Sequence, residues 1–102
     1  MITIYPYCGF PVRADGEHFA SGIALHAILA ERDRIADPAD CAATFERAAA
    51  AGTPVDYAVW AGITHAFDEP DQPPDPRMEY DPDAAQRARA RILDILAAAF
   101  AP

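Results

Sequence analysis

Two side chains in this sequence are placed to move a proton. His65 follows the run Val55-Asp-Tyr-Ala-Val-Trp-Ala-Gly-Ile-Thr, which reads as a strand broken at Gly62. Asp33 follows Ile23–Ala30, an almost continuously apolar run of the kind found in a parallel strand covered on both faces. A carboxylate beside an imidazole fixes its tautomer and stabilises its cation, which is the acid–base part of a nucleophile–histidine–acid triad. The plainer alternative for Asp33 is a turn carboxylate paired with Arg32 or Arg34, worth only about 0–1 kcal/mol at a surface.

A triad also needs a nucleophile. The one serine, Ser21, sits in Phe-Ala-Ser-Gly-Ile, which is not the G-x-S-x-G turn that lifts a serine above a sheet. Cys8, Asp33 and His65 stand in the order nucleophile, acid, base, but no helix N-terminus follows Cys8 to favour its thiolate. A structural thiol, or a bridge to Cys41 near the same sheet edge, is the competing reading. His65, Asp68, Glu69 and Asp71 match no metal-ligand spacing, so neither metal nor cofactor is expected. His26, inside an apolar strand, reads as a core or hydrogen-bonded structural residue.

The elements that must position Asp33 and His65 follow from local pattern. Met1–Tyr5 alternates as a short strand ended by Pro6 and Gly9, and residues 11–22 look like loop with at most one helical turn. Asp37-Pro38 and Asp81-Pro82 are N-cap and first-turn signals for two helices. Cys41, Phe45 and Ala48 share one face of the first helix, which Gly52 and Pro54 close. In the second, Ala85, Ala88, Ile92, Leu96 and Ala99 form a stripe, with Arg87, Arg91 and Asp94 opposite. Between His65 and this helix, residues 67–76 read as a proline-rich, acidic surface loop. The order strand, strand, helix, strand, helix predicts an α/β chain with about three parallel strands. Both Asp33 and His65 then fall at the carboxyl edge, where α/β sheets bind ligands.

The totals limit the function. At 102 residues, 52% hydrophobic and 24% charged, the chain is expected to form a single globular domain over residues 1–102. A net charge of -8 without a single lysine argues against nucleic acid and against anionic membrane surfaces. No apolar run approaches the roughly 20 residues of a membrane span, and no secretory signal is visible, so a cytoplasmic location is the expectation. Two cysteines define no disulfide framework.

The segments Tyr5-Pro-Tyr-Cys-Gly, Ile28-Leu-Ala-Glu-Arg-Asp33 and Trp60-Ala-Gly-Ile-Thr-His65-Ala-Phe-Asp, with Cys41 and the Asp81-Pro-Asp-Ala-Ala helix start, resemble the C-terminal half of dienelactone hydrolase family proteins. The resemblance spans nearly the whole chain, and His65-Ala66-Phe67 is its most specific part. Ala30 and Ala61 depart from the family's usual glycine and proline. The resemblance implies a partial α/β-hydrolase fold, a three-layer remnant of the larger sheet. It implies ester or lactone hydrolysis of a small molecule in the complete enzyme, with Asp33 as triad acid and His65 as triad base. It also implies that the nucleophile segment lies before Met1, leaving the isolated chain with little activity. Two alternatives stand beside this: a non-catalytic interaction domain, self-associating through an open sheet edge, or one half of a split enzyme.

Overall fold

The structure is a computed structural model that describes residues 1–9 and 23–102. The loop expected at residues 11–22, with Ser21, lies outside the described residues. Three strands, β1 (Ile2–Ile4), β2 (Leu25–Ala30) and β3 (Val55–Trp60), form one parallel sheet in the order β1-β2-β3. Ile2 lies opposite His26, and Leu25 opposite Val55. Helix α1 (Pro38–Ala50) connects β2 to β3, and α2 (Pro82–Ala99) follows the acidic loop.

Both helices start where their Asp-Pro pairs place them. The Asp37 carboxylate accepts from the Ala39 amide at 2.9 Å, and that of Asp81 from Ala84 at 3.0 Å. Each satisfies a backbone donor that the helix itself leaves unpaired. Gly52, with φ of 102°, terminates the first helical segment in a conformation that side chains rarely tolerate.

Side chains alternate across a strand, so β2 feeds two cores. Leu25, Ala27 and Leu29 pack with Cys41 and Phe45 of α1, and with Val55 and Tyr57. Ile28 and Ala30 face the other way, onto Ile63, Phe67, Ala84 and Ala88. Five of the six β2 residues are buried, each aliphatic one of Leu or Ile size contributing about 1.5–3 kcal/mol. The result is a helix–sheet–helix sandwich with β2 as its middle strand, consistent with a partial α/β-hydrolase fold.

The packed face of α2 differs from the expected stripe. Ala84 and Ala88 are its buried residues, whereas Leu96 is 39% and Phe100 83% exposed. Arg87 lies over the Trp60 ring at 4.2 Å, and Arg91 donates to Asp56 of β3. Alanines surround this helix and set no face of their own. The guanidinium groups of these exposed arginines find an aromatic face and a carboxylate on β3. His26 is half-buried in β2, and its Nδ1 is buried without a hydrogen bond, 3.7 Å from Asp56 Oδ2.

Cys8, beyond β1, is bonded to Cys41 in the first turn of α1. Among the described residues, β1 pairs on one side only, and no helix is long and apolar enough to cross a membrane.

Candidate active site

Asp33 is set by the turn that closes β2. Its amide donates to Ala30 O at 3.2 Å. Its Oδ1 then accepts from the amides of Ile35, at 2.9 Å, and Ala36, at 2.7 Å, the local pattern that short acidic side chains adopt in turns. Its Oδ2 faces His65 Nδ1 at 2.8 Å. The residue is 6% exposed, so a buried carboxylate is held by three donors.

Arg32, weighed above as an ion-pair partner for Asp33, turns elsewhere. Its Nη1 donates to Gly62 O at 3.4 Å and lies 3.7 Å from Glu79 Oε2.

The segment carrying His65 is sewn to the segment carrying Asp33. The Glu31 amide donates to Trp60 O at 3.1 Å, and the Arg32 amide to Ile63 O at 2.9 Å. The Gly62 amide donates to Glu31 Oε1 at 3.0 Å, with Gly62 at a φ of 78° that opens the turn. On the far side, Thr64 Oγ1 accepts from the Glu79 amide at 2.7 Å and donates to Glu79 O at 3.3 Å. Phe67, fully buried, anchors the chain two residues after the histidine. The two strand ends thus hold the acid and the imidazole in one register.

A carboxylate only accepts, so the 2.8 Å contact requires the proton on Nδ1. In the neutral ring Nε2 then keeps its lone pair. The His65 side chain is 21% exposed, and Nε2 has no hydrogen bond to any described residue. Such a nitrogen can remove a proton from a hydroxyl or thiol brought against it.

No serine and no free cysteine stands there among the described residues. Cys8, the candidate whose chain order fits, has no thiol to offer because it is bonded to Cys41. The set His65, Asp68, Glu69 and Asp71 is not gathered either. Among the described residues, no three His, Cys, Asp or Glu side chains are arranged to hold a metal ion.

The structure adds one side chain that pattern reading did not single out. The Tyr5 ring lies 4.7 Å from the His65 ring and meets Phe67 edge-on at 5.7 Å. Its hydroxyl donates to Asp68 Oδ1 at 2.6 Å. Burial, reinforced by the Asp68 carboxylate, pushes the phenol well above the ordinary tyrosine range. The available sequence signal was position alone: an aromatic residue at the carboxyl end of β1, on the same edge as Asp33 and His65.

A sequence profile of the dienelactone hydrolase family matches residues 3–100. No curated protein and no solved structure matches the chain. A profile match over nearly the full length, on a parallel α/β sheet whose carboxyl edge joins an aspartate to a histidine, assigns this chain to the dienelactone hydrolase family.

Proposed function

We propose that this chain carries the acid and base of an ester- or lactone-hydrolysing triad, completed by a nucleophile from outside these 102 residues. The observation that supports it most is the contact between Asp33 Oδ2 and His65 Nδ1 at 2.8 Å, with Oδ1 already held by two backbone amides. Family membership supports hydrolase chemistry on a small molecule.

In the reaction, His65 Nε2 takes the proton of a serine or cysteine as its oxygen or sulfur attacks the substrate carbonyl. Asp33 holds the ring in place and stabilises the imidazolium that forms. The imidazolium returns the proton to the departing alkoxide, leaving an acyl-enzyme. A water, deprotonated by the same nitrogen, then releases the acid and restores the nucleophile.

The test is turnover of an activated ester, such as p-nitrophenyl acetate. The 102-residue chain alone should not exceed its His65→Ala variant. When it is joined to a segment supplying a G-x-S-x-G or G-x-C-x-G turn, read in frame upstream or found on a second chain, turnover should appear. His65→Ala should then lower it by about 10²–10⁴-fold.

A second reading has one observation in its favour. Among the described residues β1 pairs on one side only, and Leu93 and Leu96 of α2 and Phe100 just beyond it are exposed apolar residues. An interaction domain that pairs strands through this edge would account for both. Sedimentation of a clean monomer across a wide concentration range counts against it.

A further inference from the structure

Among the described residues, Tyr5 and Ala66 are the two non-glycine residues at positive φ, at 38° and 57°. Both adjoin His65: Ala66 follows it in the chain, and the Tyr5 ring rests against its ring. Backbone in this region costs on the order of 1–3 kcal/mol per residue and persists only where surrounding contacts impose it. For Tyr5 two hydrogen bonds impose it. Its amide donates to Ile28 O at 2.9 Å, continuing the β1–β2 ladder, while its hydroxyl donates to Asp68 Oδ1 at 2.6 Å. Asp68 sits three residues beyond His65 on the same loop. The tyrosine therefore ties the sheet to the loop that carries His65, with its ring against the imidazole.

We propose that Tyr5 is a positioning residue for His65. Its hydroxyl bond to Asp68 clamps the loop, and its ring closes one side of the imidazole, so that Nδ1 stays on Asp33 and Nε2 on the open side. Asp33 fixes one ring nitrogen but leaves the imidazole plane free to swing about that bond. Contact with the Tyr5 ring removes that freedom. Asp68 thereby gains a role in the site other than that of a solvated loop carboxylate or a metal ligand. The positioning role rests on the reading of His65 as a base. The clamp itself is a property of the folded chain and is measured without turnover.

The test is NMR of the His65 ring in the full chain. Wild type is compared with Tyr5→Phe, which keeps the ring and removes the hydroxyl. Asp68→Asn, Asp68→Ala and Tyr5→Phe/Asp68→Ala complete the set, with Asp33→Asn to assign the Nδ1 proton. Tyr5→Phe and Asp68→Ala should each speed exchange of that proton with water several-fold and broaden the ring signals. The double variant should show no more than either alone, because one bond is removed in all three. Asp68→Asn retains an oxygen acceptor and should fall between, so the comparison survives even if another variant unfolds. His65 signals that superimpose on wild type in every folded variant, even with lowered melting temperatures, would overturn the proposal by leaving Tyr5 a purely structural role. So would effects of the two single variants that add. A completed enzyme without His65-dependent turnover would refute the hydrolase reading while leaving these spectra unchanged.

Discussion

Asp33 and His65 come from the ends of neighbouring parallel strands and meet at 2.8 Å, Oδ2 to Nδ1. The other oxygen of Asp33 accepts from the Ile35 and Ala36 amides, so the carboxylate is oriented before the imidazole reaches it. Removing it leaves two amides and a ring nitrogen unpaired at a site that is 6% exposed. Asp33→Ala should therefore cost about 2–3 kcal/mol of stability, since bonds to a charged acceptor are worth about 1.5–3 kcal/mol. Urea titration measures this directly. A loss under about 0.5 kcal/mol, the range of ordinary surface substitutions, would mean the carboxylate is not held as described.

Tyr5 should shape the alkaline limb of stability. Burial, followed by the Asp68 hydrogen bond, raises its phenol in the fold. The unfolded chain therefore releases this proton first, near pH 10, while the folded chain retains it. The contribution is complete below that pH and is lost as pH rises above it. Wild type should destabilise more steeply above pH 10 than Tyr5→Phe. Parallel limbs would contradict the assignment.

The Cys8–Cys41 bridge closes a separation of 33 residues. Loop-closure entropy gives it about 3–4 kcal/mol, so reduction, or Cys8→Ser with Cys41→Ser, should lower the melting temperature markedly. A thiol assay on denatured, unreduced protein should find none, and two would show the bridge unformed. Disulfides persist mainly in oxidising compartments. The bridge and the cytoplasmic expectation therefore pull in opposite directions, and the same assay on freshly lysed cells decides between them.

Ala66 at φ of 57° carries a Cβ where glycine would sit without strain. Ala66→Gly relieves about 1–2 kcal/mol of that cost and gives back about 0.4–1 in unfolded-chain entropy. The net is a stability unchanged or raised by up to about 1.6 kcal/mol. Ala66→Val, with a branched Cβ in the same conformation, should be clearly destabilising. The ranking Gly, Ala, Val is read from chemical denaturation, and a reversed order would contradict the strain.

How far the sequence carried the fold varies by element. Strand β2 and the two Asp-Pro helix starts were legible because apolar runs and capping groups act within a few residues. The acid–imidazole pairing was legible as a topological consequence, since both residues follow parallel strands. The packed face of α2 was not, because it rests on Ala84 and Ala88, small residues that set no strong stripe, while Arg87 and Arg91 reach Trp60 and Asp56 of β3. Tyr5 was not legible either: its positive φ, immediately before a proline, is imposed by Ile28 and Asp68, which lie far along the chain. The Cys8–Cys41 bridge stayed open at the level of sequence for the same reason.

The central proposal is that Asp33 and His65 serve a nucleophile supplied from outside these 102 residues, and ester turnover tests it most directly. Activated-ester hydrolysis is compared for the chain alone, for the chain joined to a G-x-S-x-G or G-x-C-x-G segment, and for Asp33→Ala and His65→Ala in both settings. The predicted result is no activity above the His65→Ala control for the chain alone, and His65- and Asp33-dependent activity once it is joined. His65-dependent turnover by the chain alone, or a joined enzyme indifferent to His65→Ala, would contradict it.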